Sequence, residues 1–120
     1  MEEWKLVWIR LTPINEASSL PEGIAGAYRL SYKHEDGNYY VFYVGQAQDI
    51  RERLLQHQGP SETNPGIKAY LSSKQCFFRY ATIAEGYVRD AIEKQAYKYY
   101  QPECNETMPQ GRDDVKGNLS

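Results

Sequence analysis

The spacing of hydrophobic and polar positions along the chain predicts strands in its first half. Residues 4–11 are rich in aromatic and β-branched side chains and end before Pro13, which is typical of a strand. Residues 27–33 alternate between larger hydrophobic and more polar side chains, as in a half-buried strand. Residues 39–45 are again apolar, and the turn-forming residues 35–38 join the two segments, so a hairpin is predicted here.

Capping residues predict two helices after this hairpin. Asp49 followed by Glu52 is a capping box, and hydrophobic side chains one turn apart give the helix a buried stripe that should run to about residue 57. Asn64 followed by a proline predicts the start of a short helix through about residue 71.

A third core strand and a long helix complete the pattern. Residues 76–81 are typical of a buried strand. Thr82 and Glu85 form a second capping box, which predicts the start of a helix that must end before Pro102. Residues 106–120 are polar and contain glycines and aspartates, so a mobile tail is predicted there.

These elements predict an α/β fold. We expect a small, mainly antiparallel three-stranded core sheet flanked by helices, with residues 4–11 as an added N-terminal strand. The chain has 120 residues, of which 41% are hydrophobic, so it fits one domain that buries a core without disulfides or a structural metal. We expect this domain to span residues 1–105.

Charge and cysteine content narrow the class of protein. The net charge of −2 gives no overall basic field of the kind expected for a protein whose main task is to coat nucleic acid. Residues 37–101 nevertheless carry +2, between flanking segments of −2 each. Cys76 and Cys104 are far apart and lack metal-ligand spacing, which favours reduced thiols in a cytoplasmic protein. No segment has the length and composition of a membrane span or of a secretion signal, so no membrane partner is expected.

Several polar residues stand inside these otherwise apolar segments. Phenols, a guanidinium, an imidazole and a carboxylate are groups that can activate water, neutralise phosphate oxygens and stabilise a leaving oxygen in phosphodiester cleavage. The residues concerned are Tyr28 and Tyr43 on the hairpin, Arg53 and His57 on the first helix, Glu93 on the long helix, and Asn105 beyond it.

The spacing and the chemistry of three of these side chains indicate roles for them. Arg53 and His57 are four residues apart on one helix face, so both can address a single phosphate. Glu93 is a candidate Mg²⁺ ligand, because a hard cation prefers carboxylate oxygens and usually keeps several waters.

The hairpin carries a recognisable pair of motifs. The triplets Gly26-Ala27-Tyr28 and Tyr43-Val44-Gly45, one on each strand, resemble the motifs of the GIY-YIG nuclease superfamily. The resemblance covers residues 21–105, since the remaining motif positions follow in the family's order at Arg53, His57, Glu93 and Asn105. Ala27 replaces the usual Ile or Val, and Gln46 stands where some members have Lys.

The resemblance implies a divalent-metal-dependent endonuclease that hydrolyses DNA and leaves 5′-phosphate and 3′-hydroxyl ends. Either Tyr28 or Tyr43 would activate the water, although a phenol pKa near 10 must first fall or its proton be relayed. Arg53 would clamp the scissile phosphate, with His57 assisting, and Glu93 would hold Mg²⁺ or Mn²⁺.

The resemblance also implies supporting residues and partners. Gly26 and Gly45 would support the site, and Asn105 would fasten the end of the long helix to the hairpin. DNA is the expected partner, a second copy of the chain on DNA is open, and no cofactor beyond the metal is implied.

Ordinary structural roles compete with these assignments. The tyrosines could be core residues with a solvated hydroxyl, and Arg53 an exposed helix cation. His57 could simply be favoured by the helix dipole, and Glu93 could form an i,i+4 salt bridge with Arg89. Asn105 could be a turn residue.

Two other functions remain open from the sequence. One is a catalytically weak nucleic-acid-binding or targeting module on the same fold, favoured by the acidic net charge and by Gln46. The other is a protein-interaction domain that docks a partner through its aromatic surface.

Overall fold

A four-stranded antiparallel sheet organises the chain, and the computed structural model describes residues 1–120. Its strands are β2 (Thr12–Pro13), β3 (Gly26–Lys33), β4 (Tyr39–Ala47) and β5 (Cys76–Thr82), in the spatial order β2-β5-β3-β4. A separate two-stranded parallel sheet joins β1 (Glu2–Trp4) to β6 (Val115–Gly117). The predicted α/β class and the antiparallel hairpin are confirmed, but the core sheet has four strands rather than three.

The helices are α1 (Ile50–Gln58), α2 (Pro65–Ser73) and α3 (Gly86–Tyr100), with a 3-10 helix over Ile14–Ser19. Two predicted caps are confirmed, since Asp49 accepts from the Glu52 amide and Asn64 accepts from the Ile67 amide, each at 3.1 Å. None of the helices is both long and apolar enough to cross a bilayer.

The predicted capping box of the long helix is wrong. Thr82 belongs to β5, where it pairs with Gly26, so its backbone is committed to the sheet. The helix begins four residues later, and Glu85 at its N-cap makes no side-chain capping bond.

The predicted strand over residues 4–11 is also wrong. Trp4 ends β1 in the separate sheet, and beyond it the backbone of the segment meets β5 through an isolated bridge from Trp8 to Ala81 and a 3.0 Å hydrogen bond from the Ile9 amide to the Tyr80 carbonyl. Leu6 and Trp8 pack on one face of the sheet. The side chain of Asn118 accepts from the Leu6 amide at 2.6 Å and donates to the Leu6 carbonyl at 2.8 Å. Those backbone groups are therefore taken by a side chain from the other end of the chain instead of a neighbouring strand.

The segment after residue 105, predicted to be a mobile tail, packs partly into the domain. Val115 in β6 is fully buried in the cluster that contains Ile92 of α3. Gln95 donates to the Gly117 carbonyl at 2.7 Å and accepts from its amide at 3.0 Å. A single hydrophobic residue in a polar segment gives no repeating pattern, so the sequence did not predict this strand.

β3 lies at the centre of the sheet and is covered on both faces, whereas its alternation predicted one solvated face. Tyr28 and Leu30 belong to the core cluster beneath α1 and α2, and Ala27 belongs to the cluster beneath α3. Arg29 is buried as well, with its guanidinium 4.7 Å from the Trp8 ring centre. A cation–π contact and a hydrogen bond to a carbonyl stabilise this buried charge.

A β-bulge interrupts the hairpin beside Tyr43. Leu30 pairs with Tyr43 but Ser31 pairs with Val41, so Phe42 is an extra residue in β4. Phe42 stacks on Tyr70 of α2, with ring centres 4.5 Å apart. Because a bulge re-aims the neighbouring side chains, both Phe42 and Tyr43 contact the cluster that contains Tyr28.

Candidate active site

Three aromatic rings predicted for the site converge where the hairpin meets α1. The ring centre of Tyr28 lies 6.2 Å from that of Tyr43 and 5.7 Å from that of His57. The Tyr43 and His57 ring centres are 5.3 Å apart. The Tyr28 hydroxyl and His57 Nε2 are hydrogen-bonded at 2.7 Å, and both residues are almost fully buried.

Arg53 lies beside the two phenols on the exposed side of α1. Desolvation lowers the pKa of its guanidinium, but the oxygens of Tyr28 and Tyr43 offset this, and the pKa is raised overall. The same contact stabilises negative charge on the phenols, since Arg53 lowers the pKa of each tyrosine. The Arg53 side chain donates to Gln56 at 3.3 Å within the helix, and a shallow groove of about 430 Å³ opens beside it.

Burial nevertheless has the largest effect on the pKa values of the two tyrosines. Desolvation raises the pKa of Tyr28 well above its ordinary value, and it also raises the pKa of Tyr43. Both side chains are therefore neutral phenols near pH 7. The Tyr28 hydroxyl and His57 Nε2 share a buried hydrogen bond, so the phenol lies within proton-transfer distance of the imidazole.

Glu93 on α3 is a half-buried carboxylate that lies close enough to the two phenols for its charge to raise their pKa values. Desolvation and then the negative charge of Asp90 raise its pKa to about 7, against an opposing effect of Arg53. Glu93 forms no salt bridge. The structure therefore holds a half-buried carboxylate that no cation pairs directly, although Arg53 is close enough to oppose the rise in its pKa.

The competing salt bridge from Arg89 to Glu93 does not form. Arg89 donates to the carbonyls of Ile83 and Ala84 at 3.1 and 2.7 Å, and to the side-chain oxygen of Gln46 at 3.1 Å. The Gln46 amide donates in turn to Asp90 at 3.0 Å. Gln46 therefore holds neighbouring parts of α3 in place and supplies no cation next to Tyr43.

The two motif glycines lie where backbone or ring atoms leave no room for a side chain. A Cβ at Gly26 would lie 2.1 Å from the Ala81 carbonyl oxygen of β5. A Cβ at Gly45, which pairs with Tyr28 across the hairpin, would lie 2.6 Å from the Tyr28 hydroxyl. The glycine of the second triplet thus makes space for the tyrosine of the first.

Gly45→Ala should therefore displace the Tyr28 ring and weaken its hydrogen bond to His57. We expect a loss of about 1 to 3 kcal/mol in the free energy of unfolding, as is typical of overpacking. Thermal unfolding measures this, with Gly59→Ala as the matched control because its Cβ would meet nothing closer than 3.5 Å. Equal unfolding temperatures for the two variants would show that a side chain at position 45 does not clash with the Tyr28 ring.

Asn105 ties the segment after α3 to the hairpin. Its side chain accepts from the Val44 amide and donates to the Val44 carbonyl, both at 2.9 Å. Val44 lies between Tyr43 and Gly45, so this pair of bonds fixes the backbone of the second triplet. Asn105 contributes to the position of the site without facing its polar groups.

Glu62 is a neighbour of His57 that sequence reasoning missed. Its carboxylate is hydrogen-bonded to His57 Nδ1 and also accepts from the Asn64 amide at 3.1 Å. Glu62 lies in the polar loop between α1 and α2, where nothing in the sequence distinguishes it from Glu52 or from other exposed acids. Only the path of the loop places it against the imidazole.

Comparisons with known proteins identify the fold. No family model and no curated protein matches the chain. A crystal structure of the GIY-YIG N-terminal endonuclease domain of UvrC from Thermotoga maritima, a tyrosine-to-phenylalanine mutant bound to its catalytic divalent cation, matches with a TM-score of 0.60 and 17% identity. The match covers 78% of this chain and 96% of that one.

Two further mutants of that domain, one tyrosine-to-phenylalanine and one asparagine-to-alanine, give the same picture. Each is bound to the catalytic divalent cation and matches with a TM-score of 0.58 and 16% identity, over 78% of this chain and 96% of that one. The chain therefore has the fold of a small GIY-YIG domain.

Proposed function

Starting from this GIY-YIG fold, we propose that the protein is a divalent-metal-dependent endonuclease that hydrolyses DNA phosphodiester bonds. The observation that supports this most directly is the convergence of two phenols, an imidazole and a guanidinium near a half-buried carboxylate that has no salt-bridge partner. A protein that used these residues only for packing would gain nothing from leaving Glu93 uncompensated.

The residues fit a hard divalent cation such as Mg²⁺, with Mn²⁺ as a substitute. Glu93 would hold it, because the pKa of this carboxyl is raised to about 7 by desolvation and by Asp90, and a nearby positive charge would relieve that cost. A hard cation of this kind usually keeps several of its waters, so a single carboxylate can be enough to hold it. When bound, the cation would supply charge neutralisation at the phosphate oxygens.

The chain's own residues would divide the remaining chemistry. Arg53, the exposed cation of the group, would bind the scissile phosphate, and half-buried Tyr43 would orient the attacking water. Tyr28 would take the proton of that water as its own phenol proton passes to His57 Nε2. The water oxygen would bond to phosphorus as the P–O3′ bond breaks, and the leaving O3′ would take a proton from solvent, which gives a 5′-phosphate and a 3′-hydroxyl.

A catalytically weak nucleic-acid-binding module is the second candidate. The net charge is −2, and Gln46 is engaged by Arg89 and Asp90, so it offers the phosphate no further cation. Such a module would bind DNA with an affinity that falls steeply with salt, as phosphate contacts require, and would leave the DNA intact.

A cleavage panel tests the proposal. The purified protein is incubated with Mg²⁺ or Mn²⁺ and with duplex, nicked, flapped and branched DNA, and parallel samples contain EDTA. We expect metal-dependent cleavage of at least one DNA structure, with product ends that a ligase can rejoin without phosphatase or kinase treatment. Salt-sensitive gel shifts without cleavage would favour the binding module.

A further inference from the structure

His57 lies between two groups that together fix where its protons sit. Its Nε2 atom is 2.7 Å from the Tyr28 hydroxyl, and its Nδ1 atom is hydrogen-bonded to a Glu62 carboxylate oxygen. His57 and Tyr28 are 3% and 2% exposed, so water cannot readily replace either partner. The side chain of Glu62 is itself 11% exposed.

The charge of Glu62 decides the direction of both hydrogen bonds. Desolvation raises its pKa, but hydrogen bonds from His57 and the Asn64 amide bring the pKa below its ordinary value, so the group is a carboxylate near pH 7. A carboxylate can only accept hydrogen bonds, so His57 Nδ1 must carry a hydrogen. Desolvation, together with the charge of Arg53, lowers the pKa of His57 overall despite the opposing effect of Glu62, so the ring is neutral near pH 7.

A neutral imidazole with its hydrogen on Nδ1 has a free lone pair on Nε2. That lone pair faces the Tyr28 hydroxyl, which therefore donates. The opposite tautomer would put a hydrogen on Nε2, aimed at the phenol oxygen, and a bare nitrogen against a carboxylate. The geometry thus favours one tautomer, and that tautomer can accept the phenol proton.

We propose that Glu62 is a positioning residue, which holds His57 in the tautomer that can receive the proton of Tyr28. This inference rests on the proposed function, since proton transfer matters only if Tyr28 acts as a base. Glu62 would touch neither the DNA nor the metal, and would act through His57 alone.

Glu62→Gln separates this role from a structural one. The two oxygens of Glu62 accept from two groups, His57 Nδ1 and the Asn64 amide, whereas a glutamine offers one acceptor and one donor. The Asn64 amide can only donate, so it takes the glutamine oxygen. The glutamine nitrogen then donates to His57 Nδ1, and the hydrogen of the ring moves to Nε2.

The experiment measures the tautomer and the catalysis separately. ¹⁵N NMR of the imidazole nitrogens distinguishes the two tautomers, and with only two histidines in the chain the signals can be assigned by replacing His34. Wild type should show hydrogen on Nδ1 of His57, and Glu62→Gln should show it on Nε2. The variant should also lose kcat by about 100-fold or more while KM for DNA stays within about twofold.

Glu103→Gln is the matched control, since Glu103 also accepts a hydrogen bond, from the Tyr70 hydroxyl at 2.6 Å, outside the site. It should change neither the His57 tautomer nor kcat. The proposal is overturned if Glu62→Gln keeps the hydrogen on Nδ1, or if the tautomer reverses while kcat is unchanged. A wild-type protein that cleaves no DNA would refute the proposed function, and the NMR spectra would still show whether Glu62 sets the tautomer.

Discussion

Glu93→Gln should abolish metal-dependent cleavage, with a rate loss of about 10³-fold or more, and should at the same time stabilise the metal-free protein. Both effects have one cause. Glu93 is a half-buried carboxylate whose pKa is raised to about 7 by desolvation and by Asp90, so its charge is costly until a cation binds. A glutamine keeps the size of the side chain, but it removes the unfavourable buried charge and the carboxylate that would bind the metal.

The gain in stability should depend on pH in a defined direction. The pKa of Glu93 is about 7 in the folded chain against an ordinary 4.5, so the folded state binds the proton more tightly. Stability from this group is present below pH 4.5 and is lost as the pH rises to 7. In EDTA, Glu93→Gln should match wild type at pH 4 and exceed it by about 1 kcal/mol at pH 8, after allowance for solvent screening.

Thermal unfolding in EDTA and then in Mg²⁺ or Mn²⁺ provides the measurement. The cation should raise the unfolding temperature of wild type and leave that of Glu93→Gln unchanged. Glu85→Gln is the matched control, because Glu85 precedes the same helix, is exposed and makes no side-chain capping bond. If Glu93→Gln cleaves DNA, or if the cation stabilises it as it does wild type, Glu93 is not the metal ligand.

Arg53→Ala should lower kcat by about 10²- to 10³-fold, as expected for the loss of a charged donor to a transition-state oxygen. Arg53 is exposed, and its guanidinium lies beside the phenols of the site and donates to Gln56 within its own helix, so the free energy of unfolding should change by less than about 1 kcal/mol. Arg53→Lys should recover part of the rate, since a lysine keeps the charge but cannot make the paired contacts of a guanidinium.

Single-turnover cleavage with saturating protein gives the rate, and Arg51→Ala supplies the comparison. Arg51 lies on the same helix but points to the Ser18 carbonyl and the Glu22 carboxylate, so its loss should leave cleavage within about threefold. Equal losses for Arg51→Ala and Arg53→Ala would indicate a general electrostatic effect and argue against a specific phosphate contact.

The sequence predicted the parts of this molecule that depend on local spacing. The hairpin follows from alternation around a turn, and α1 follows from the cap at Asp49, so Tyr28, Tyr43 and Arg53 had to approach one another once the helix folded back. The placement of Glu93 depended on resemblance, because nothing local indicates where a helix that far along the chain will pack.

The features that were missed depend on contacts between distant segments. Glu62 reaches His57 through the course of a polar loop, and Val115 is buried because β6 pairs with β1 and packs against α3. Arg29 is a charged residue at a position where alternation predicts exposure. It is nevertheless buried, because its guanidinium stacks on the Trp8 ring and donates to the Leu119 carbonyl. Periodicity describes a segment by itself and carries no information about such partners.

The extra residue Phe42 divides the hairpin into two halves with separate alignments. Tyr28 and Tyr43 belong to the half nearer α1, and the turn over residues 34–38 belongs to the other. A bulge absorbs an offset between strands, so changes in length at the turn need not carry through to the phenols. Insertions or deletions in this outer turn can therefore be accommodated without displacing Tyr28 or Tyr43.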